Sequence, residues 1–146
     1  MFSEDRQGMG KTILAGALAM FCGAMAVSVQ GQTTSTVWNG VYTAEQARRG
    51  ETIFKDNCSV CHAEDLTGAD GPALKGELFT LVWDGRSLGA LFQRLRRMPP
   101  RKAPLELEES RDALAFILQA NGYPAGEREL STDESSLEEI AIAAKP

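Results

Sequence analysis

Cys58-Ser59-Val60-Cys61-His62 decides how this chain is read. Two thiols with two residues between them and an imidazole directly after match the C-x-x-C-H spacing by which c-type haem is attached. The spacing has a chemical reason. On a tight turn both thiols can add to the two vinyl groups along one porphyrin edge, and the next side chain then falls beneath the iron. A haem used for pure electron transfer needs a second axial ligand, usually a thioether or another imidazole. His62 is the sole histidine, and the methionines are Met1, Met9, Met20, Met25 and Met98. The first four lie in an N-terminal stretch that reads as an export signal. Met98, in Arg97-Met98-Pro99-Pro100, is therefore the candidate sixth ligand.

Other chemistries use the same residue types. A thioredoxin-type dithiol opens a helix in a βαβ setting, and no alternating strand pattern surrounds Cys58. Structural zinc takes four Cys or His ligands. Once the leader carrying Cys22 is removed, the chain offers only Cys58, Cys61 and His62. For Met98 the competing role is a core side chain filling a gap.

Length and charge narrow the field. The 146 residues are enough for one domain with a leader and a tail. A net charge of −5 and a pI near 4.9 argue against a nucleic-acid partner. So small a domain buries little surface, and a covalent haem would supply much of its apolar core.

Residues 1–31 have the plan of a secretory signal. Arg6 and Lys11 precede the apolar run Ile13–Phe21, and Ala24-Met25-Ala26 and Val29-Gln30-Gly31 are both small-x-small cleavage sites. If the segment is retained, its length approaches that of a membrane span, and the chain is membrane-anchored. Phe21 is too bulky for a lipobox at Cys22. Gly8-Met9-Gly10-Lys11-Thr12 imitates the end of a P-loop, but the required first glycine falls at Asp5 and no strand precedes it. Export places the protein in the periplasm, which suits c-type haem, attached on the outer side of the bacterial inner membrane.

Residues 32–42, rich in Thr, Ser and Asn, read as a linker that docks at its end through Val37, Trp38 and Tyr42. The first predicted helix starts after Thr43, with Gln46 completing a capping box, and runs to about Asp56. Gly50 weakens that helix, so a close helix crossing is the expected reason for it. Residues 63–86, with Gly68, Gly71, Pro72, Gly76 and Gly85, read as a loop wrapping a prosthetic group. A second helix follows Ser87, carrying Leu88, Leu91, Phe92 and Leu95 at helical spacing, and stops by Met98 because of Pro99. A third spans Ser110 to Asn121 and closes at Gly122 and Pro124. Residues 125–146 form an acidic extension. There Ser135 with Glu138 makes a second capping box, and the segment reads as a short helix or a loosely docked tail.

Gly50 and Phe54, then the C-x-x-C-H motif, then Gly71-Pro72-Ala73-Leu74, then Met98-Pro99, then a last helix with Phe116 make the chain resemble the class I monohaem c-type cytochromes, over roughly residues 43–124. The resemblance implies an all-α fold of three main helices around one covalent haem c, and an electron carrier rather than an enzyme. It implies that the helices cross near Gly50 with Phe54 and Phe116 at the crossing. It also implies that the Pro72 carbonyl accepts the Nδ1 proton of His62 and that Leu74 packs on the haem. Trp83 is left between contacting a propionate and plain packing. Phe116 departs from the tyrosine or tryptophan common at that place, and the extension beyond Gly122 exceeds the family's usual end. The stretches 41–47 and 121–126 resemble cytochromes that accompany quinoprotein-type dehydrogenases. The partners so implied are redox proteins: a dehydrogenase, an oxidase or another respiratory complex. Arg86, Arg94, Arg96, Arg97, Arg101 and Lys102 surround Met98 in sequence, with Asp84 the one opposing charge nearby. They read either as a collar that steers an acidic partner or as a solvated helix face.

Overall fold

The computed structural model describes residues 35–98 and 103–145. The segment expected to be a signal, the prolines after Met98, and Arg101 and Lys102 of the basic cluster all lie outside the described residues. Among the described residues no helix is long and apolar enough to cross a membrane.

Two long helices form the frame. Helix α1, Ala44–Asn57, starts at Thr43, whose side chain accepts from the Gln46 N–H. Helix α5, Leu107–Ala120, starts three residues before the expected point. Glu106 and Glu109 cap each other there, a reciprocal carboxylate box that an apolar-spacing search passes over. The two helices meet at Gly50, whose backbone touches the Asp112 carbonyl. Phe54 and Phe116 pack beside the crossing with centroids 5.4 Å apart. A clasp closes its edge. Arg49 donates to both Asp112 oxygens, at 2.7 and 3.0 Å, and to Glu129 at 2.8 Å. These bonds, chiefly the one to Asp112, push the guanidinium pKa even above its usual high value.

Three shorter helices complete the side of the fold that carries the C-x-x-C-H motif. Helix α2 is the single turn Ser59–His62. Helix α4, Leu88–Leu95, is capped by Ser87 as its sequence predicts, with the hydroxyl accepting from Ala90 N–H. Helix α3, Gly76–Trp83, stands inside the stretch expected to be loop. It escaped notice because Leu78, Phe79, Leu81, Val82 and Trp83 make it apolar nearly all round, so no period distinguishes one face.

The C-terminal extension is part of the core. Leu130, Leu137 and Ile142 are fully buried. Helix α6, Glu134–Glu138, is capped by Asp133 rather than by Ser135. Strand β2, Ile140–Ala141, pairs in parallel with strand β1, Ser35–Thr36. Gln46 does not return to its own cap. Its side chain is buried and its Oε1 accepts from Leu130 N–H at 2.8 Å, so a polar residue of α1 fastens the extension. Val37 and Tyr42, at the end of the expected linker, are also buried, and the Tyr42 hydroxyl donates to the Tyr123 carbonyl at 2.6 Å.

Candidate haem site

The last turn of α1 delivers the motif. Cys58 N–H continues the helix to the Phe54 carbonyl, and the Ser59 hydroxyl donates to the Lys55 carbonyl. The N–H groups of Cys61 and His62 then share the Cys58 carbonyl, at 3.1 and 3.0 Å. Cys58, Cys61 and His62 are thereby fixed on one tight turn.

Beyond His62 the chain reverses through Ala63 and Leu66, both at positive φ near 60°. Such conformations cost about 1–3 kcal/mol in non-glycine residues and persist only where the surroundings fix them. Here the returning loop does so. Gly68 N–H reaches the His62 carbonyl at 3.0 Å, and Gly71 N–H reaches the Cys61 carbonyl at 2.7 Å. The return brings the Pro72 carbonyl to 2.8 Å from His62 Nδ1. A carbonyl only accepts, so Nδ1 carries the proton and Nε2 keeps its lone pair for a metal. Gly71 supports the same ring. A Cβ there would lie 2.8 Å from His62 Cε1, so any side chain at 71 would displace the imidazole.

The opposite walls come from α3 and α4. Asn121 donates to the Leu74 carbonyl at 2.9 Å and accepts from Gly76 N–H at 3.0 Å, which locks Leu74 and the start of α3 to the end of α5. Leu91, Arg94 and Leu95 follow on α4, and Met98 lies one turn on, its N–H bonded to the Leu95 carbonyl at 2.8 Å. Together these residues enclose a cavity of about 450 Å³ lined by Cys58, His62, Pro72, Leu74 and Met98, with Leu78, Leu81 and Val82 of α3 on its wall. Cys61 stands exposed on the same turn as His62, outside the lining.

A haem fits these residues. The walls are aliphatic, an imidazole with its outer nitrogen already engaged opens onto the space, and a thioether lines the same space. Leu78, Leu81 and Val82 are 63%, 79% and 51% exposed, an arrangement expected of side chains that await an apolar partner. Among the described residues no group of three or more His, Cys, Asp or Glu could hold a metal ion, so a zinc cluster gains no further ligands there. The sequence model of the family described as cytochrome C oxidase, cbb3-type, subunit III matches residues 45–117, half of the chain.

The chain belongs to this family of c-type cytochromes. The cytochrome therefore has the all-α class I fold and carries covalent haem c with its iron. Its business is electron transfer with redox protein partners rather than enzymatic catalysis. No curated protein matches the sequence.

Four features of this cytochrome were not singled out as site parts from the sequence: Gly71 under the ring, Asn121 as a double clamp, Arg94 as the charged residue among the described lining, and the α3 wall. Asn at a helix end followed by Gly is a recognised cap signal, so Asn121 was the findable one. Trp83 lies in the lining, half-buried against Phe79, with the Arg86 guanidinium 5.6 Å over its ring.

Proposed function

We propose that this cytochrome is an exported one-electron carrier, its porphyrin bonded to Cys58 and Cys61 and its iron held between His62 and Met98. The observation that carries the reading is that His62 and Met98 line one apolar cavity, with the His62 ring oriented by Pro72. The bound haem supplies a ferric–ferrous couple. The chain's residues set how that couple behaves. The Pro72 carbonyl holds the His62 Nδ1 proton, which fixes the ring and raises its basicity. Leu74, Leu91 and Leu95 exclude water. A thioether at Met98 and the apolar walls favour the ferrous state and raise the potential. Were His62 and Met98 both to hold the iron, they would leave no position for oxygen, peroxide or an organic substrate. Export to the periplasm is supported by the signal-like residues 1–31 and by where c-type haem is attached.

The electrons pass, in this reading, between a dehydrogenase or respiratory complex and a terminal acceptor. The family's description, a subunit of an oxidase, favours a second reading in which the chain works inside a larger complex, an oxidase or a quinoprotein-type dehydrogenase. Purification from the native membrane and periplasm separates the two, because a subunit co-purifies stoichiometrically and a shuttle does not.

The central test is a reduced-minus-oxidised visible spectrum of periplasmically expressed protein, with and without Met98→Ala. The wild type should show c-type bands and the weak sulfur-to-iron charge-transfer band of the ferric form. The variant should lose that band, bind carbon monoxide and cyanide, and have a lower potential. Immediate binding of these ligands by the wild type would replace the carrier reading with that of a ligand-binding haem sensor.

A further inference from the structure

Helix α4 lies between the cavity and the C-terminal extension. Successive residues turn by about 100°, so Gly89, Gln93 and Arg96 share one face. Leu91, Leu95 and Met98 follow at the same spacing two residues later, about 200° round. The second set lines the cavity. The first set meets the extension along its whole length. Glu138 accepts from the Ser87 hydroxyl at the start of α4 and covers Gly89 so closely that a Cβ there would lie 2.6 Å from its carboxyl carbon. Glu134 accepts from Gln93 at 3.2 Å and pairs with Arg96 at 3.7 Å near the other end. The segment before α4 is held as well, since Gly85 and Arg86 exchange backbone hydrogen bonds with Ile142, both at 2.8 Å.

We propose that the extension is a strap that sets the position of Met98, with Glu134 and Glu138 as its positioning residues. Neither carboxylate lines the cavity. Each acts by fixing the rotation and tilt of α4, and the Met98 side chain inherits that placement through the turn closed on Leu95. In a protein without the strap, α4 would rest on the core from one side only and Met98 would leave the iron more often. This inference rests on the reading of Met98 as a ligand.

The test uses the haem-loaded full chain in four forms: wild type, Glu134→Ala with Glu138→Ala, the same pair changed to Gln, and Met98→Ala. The readouts are the rate at which imidazole enters the ferric iron, the charge-transfer band, and amide exchange along residues 88–98. The alanine pair should admit imidazole at least about tenfold faster, as expected for loss of two hydrogen bonds of ordinary strength. It should also weaken the band and speed amide exchange in α4 while α1 and α5 keep theirs. The glutamine pair, which keeps the acceptors, should stay near wild type. Unchanged imidazole entry in the alanine pair, beside a Met98→Ala protein that is fully open, overturns the strap. So does a rise in amide exchange spread equally over α1 and α5, which marks general loosening. A Met98→Ala spectrum identical to wild type overturns the ligation reading instead.

Discussion

The backbone of Gly50 sits so close to Asp112 that a Cβ on the glycine would fall 1.8 Å from the Asp112 carbonyl oxygen. The atom in the way is main chain of a packed helix and cannot swing aside. Gly50→Ala should therefore force α1 and α5 apart, costing about 3 kcal/mol or more although alanine is the better helix former. Thermal melts of the haem-loaded protein check this. A melting temperature equal to wild type would mean that the helices cross elsewhere.

Cys58→Ala with Cys61→Ala should remove haem from the denatured chain, read by haem staining on a denaturing gel. Because the cavity walls would then face water, the double variant should also melt at lower temperature. Retained stain after denaturation would show that attachment does not use these thiols.

Among the described residues of the basic edge around Met98, one arginine is taken up by an ion pair. Arg96 is turned to Glu134, whereas Arg86, Arg94 and Arg97 are exposed, Arg86 with its guanidinium over the Trp83 ring. Steering of an acidic partner should depend on the exposed arginines. Arg86→Glu with Arg97→Glu, neither of which lines the cavity, should slow bimolecular electron transfer at low salt by about tenfold or more, and salt should slow the wild type. A rate indifferent to salt and to both charge reversals would leave the arginines as a solvated face.

Acid should release the strap before it melts the domain. The Asp133 carboxyl accepts from the hydroxyls and N–H groups of Ser136 and Ser135, and these bonds hold its pKa below the ordinary 3.8. A carboxyl depressed in the folded state stabilises that state above its unfolded value and stops doing so as pH falls through its folded value. The protection of α6 amides relative to their intrinsic exchange rates should therefore fall below about pH 4. Asp133→Asn should lower it at neutral pH and flatten the response. Equal acid sensitivity in that variant would assign the transition to another group.

The haem side was legible because its chemistry is local. C-x-x-C-H announces itself within five residues and Ser87 caps α4 where its sequence says, whereas the places of Pro72 and Phe54 came from the family resemblance. What escaped is non-local or lacks contrast. Nothing near Gln46 says that its amide oxygen will serve Leu130, 84 positions away. Acidic residues between 127 and 139 suggest a solvated tail, whereas Glu134 and Glu138 find their partners on α4. Helix α3 was hidden for the opposite reason, having apolar residues on every side, a pattern that makes sense only once a large apolar group is counted as part of the interior.

The pairing of Ser35 with Ile140 has a consequence for timing. The two strands are separated by nearly the whole described chain, and contacts so distant in sequence form late and slowly. Until then α4 has no backing and the wall of the cavity is slack. The expected order is local first and distant last: the turn that carries the thiols forms from neighbouring residues, and the β1–β2 pairing closes the domain after it.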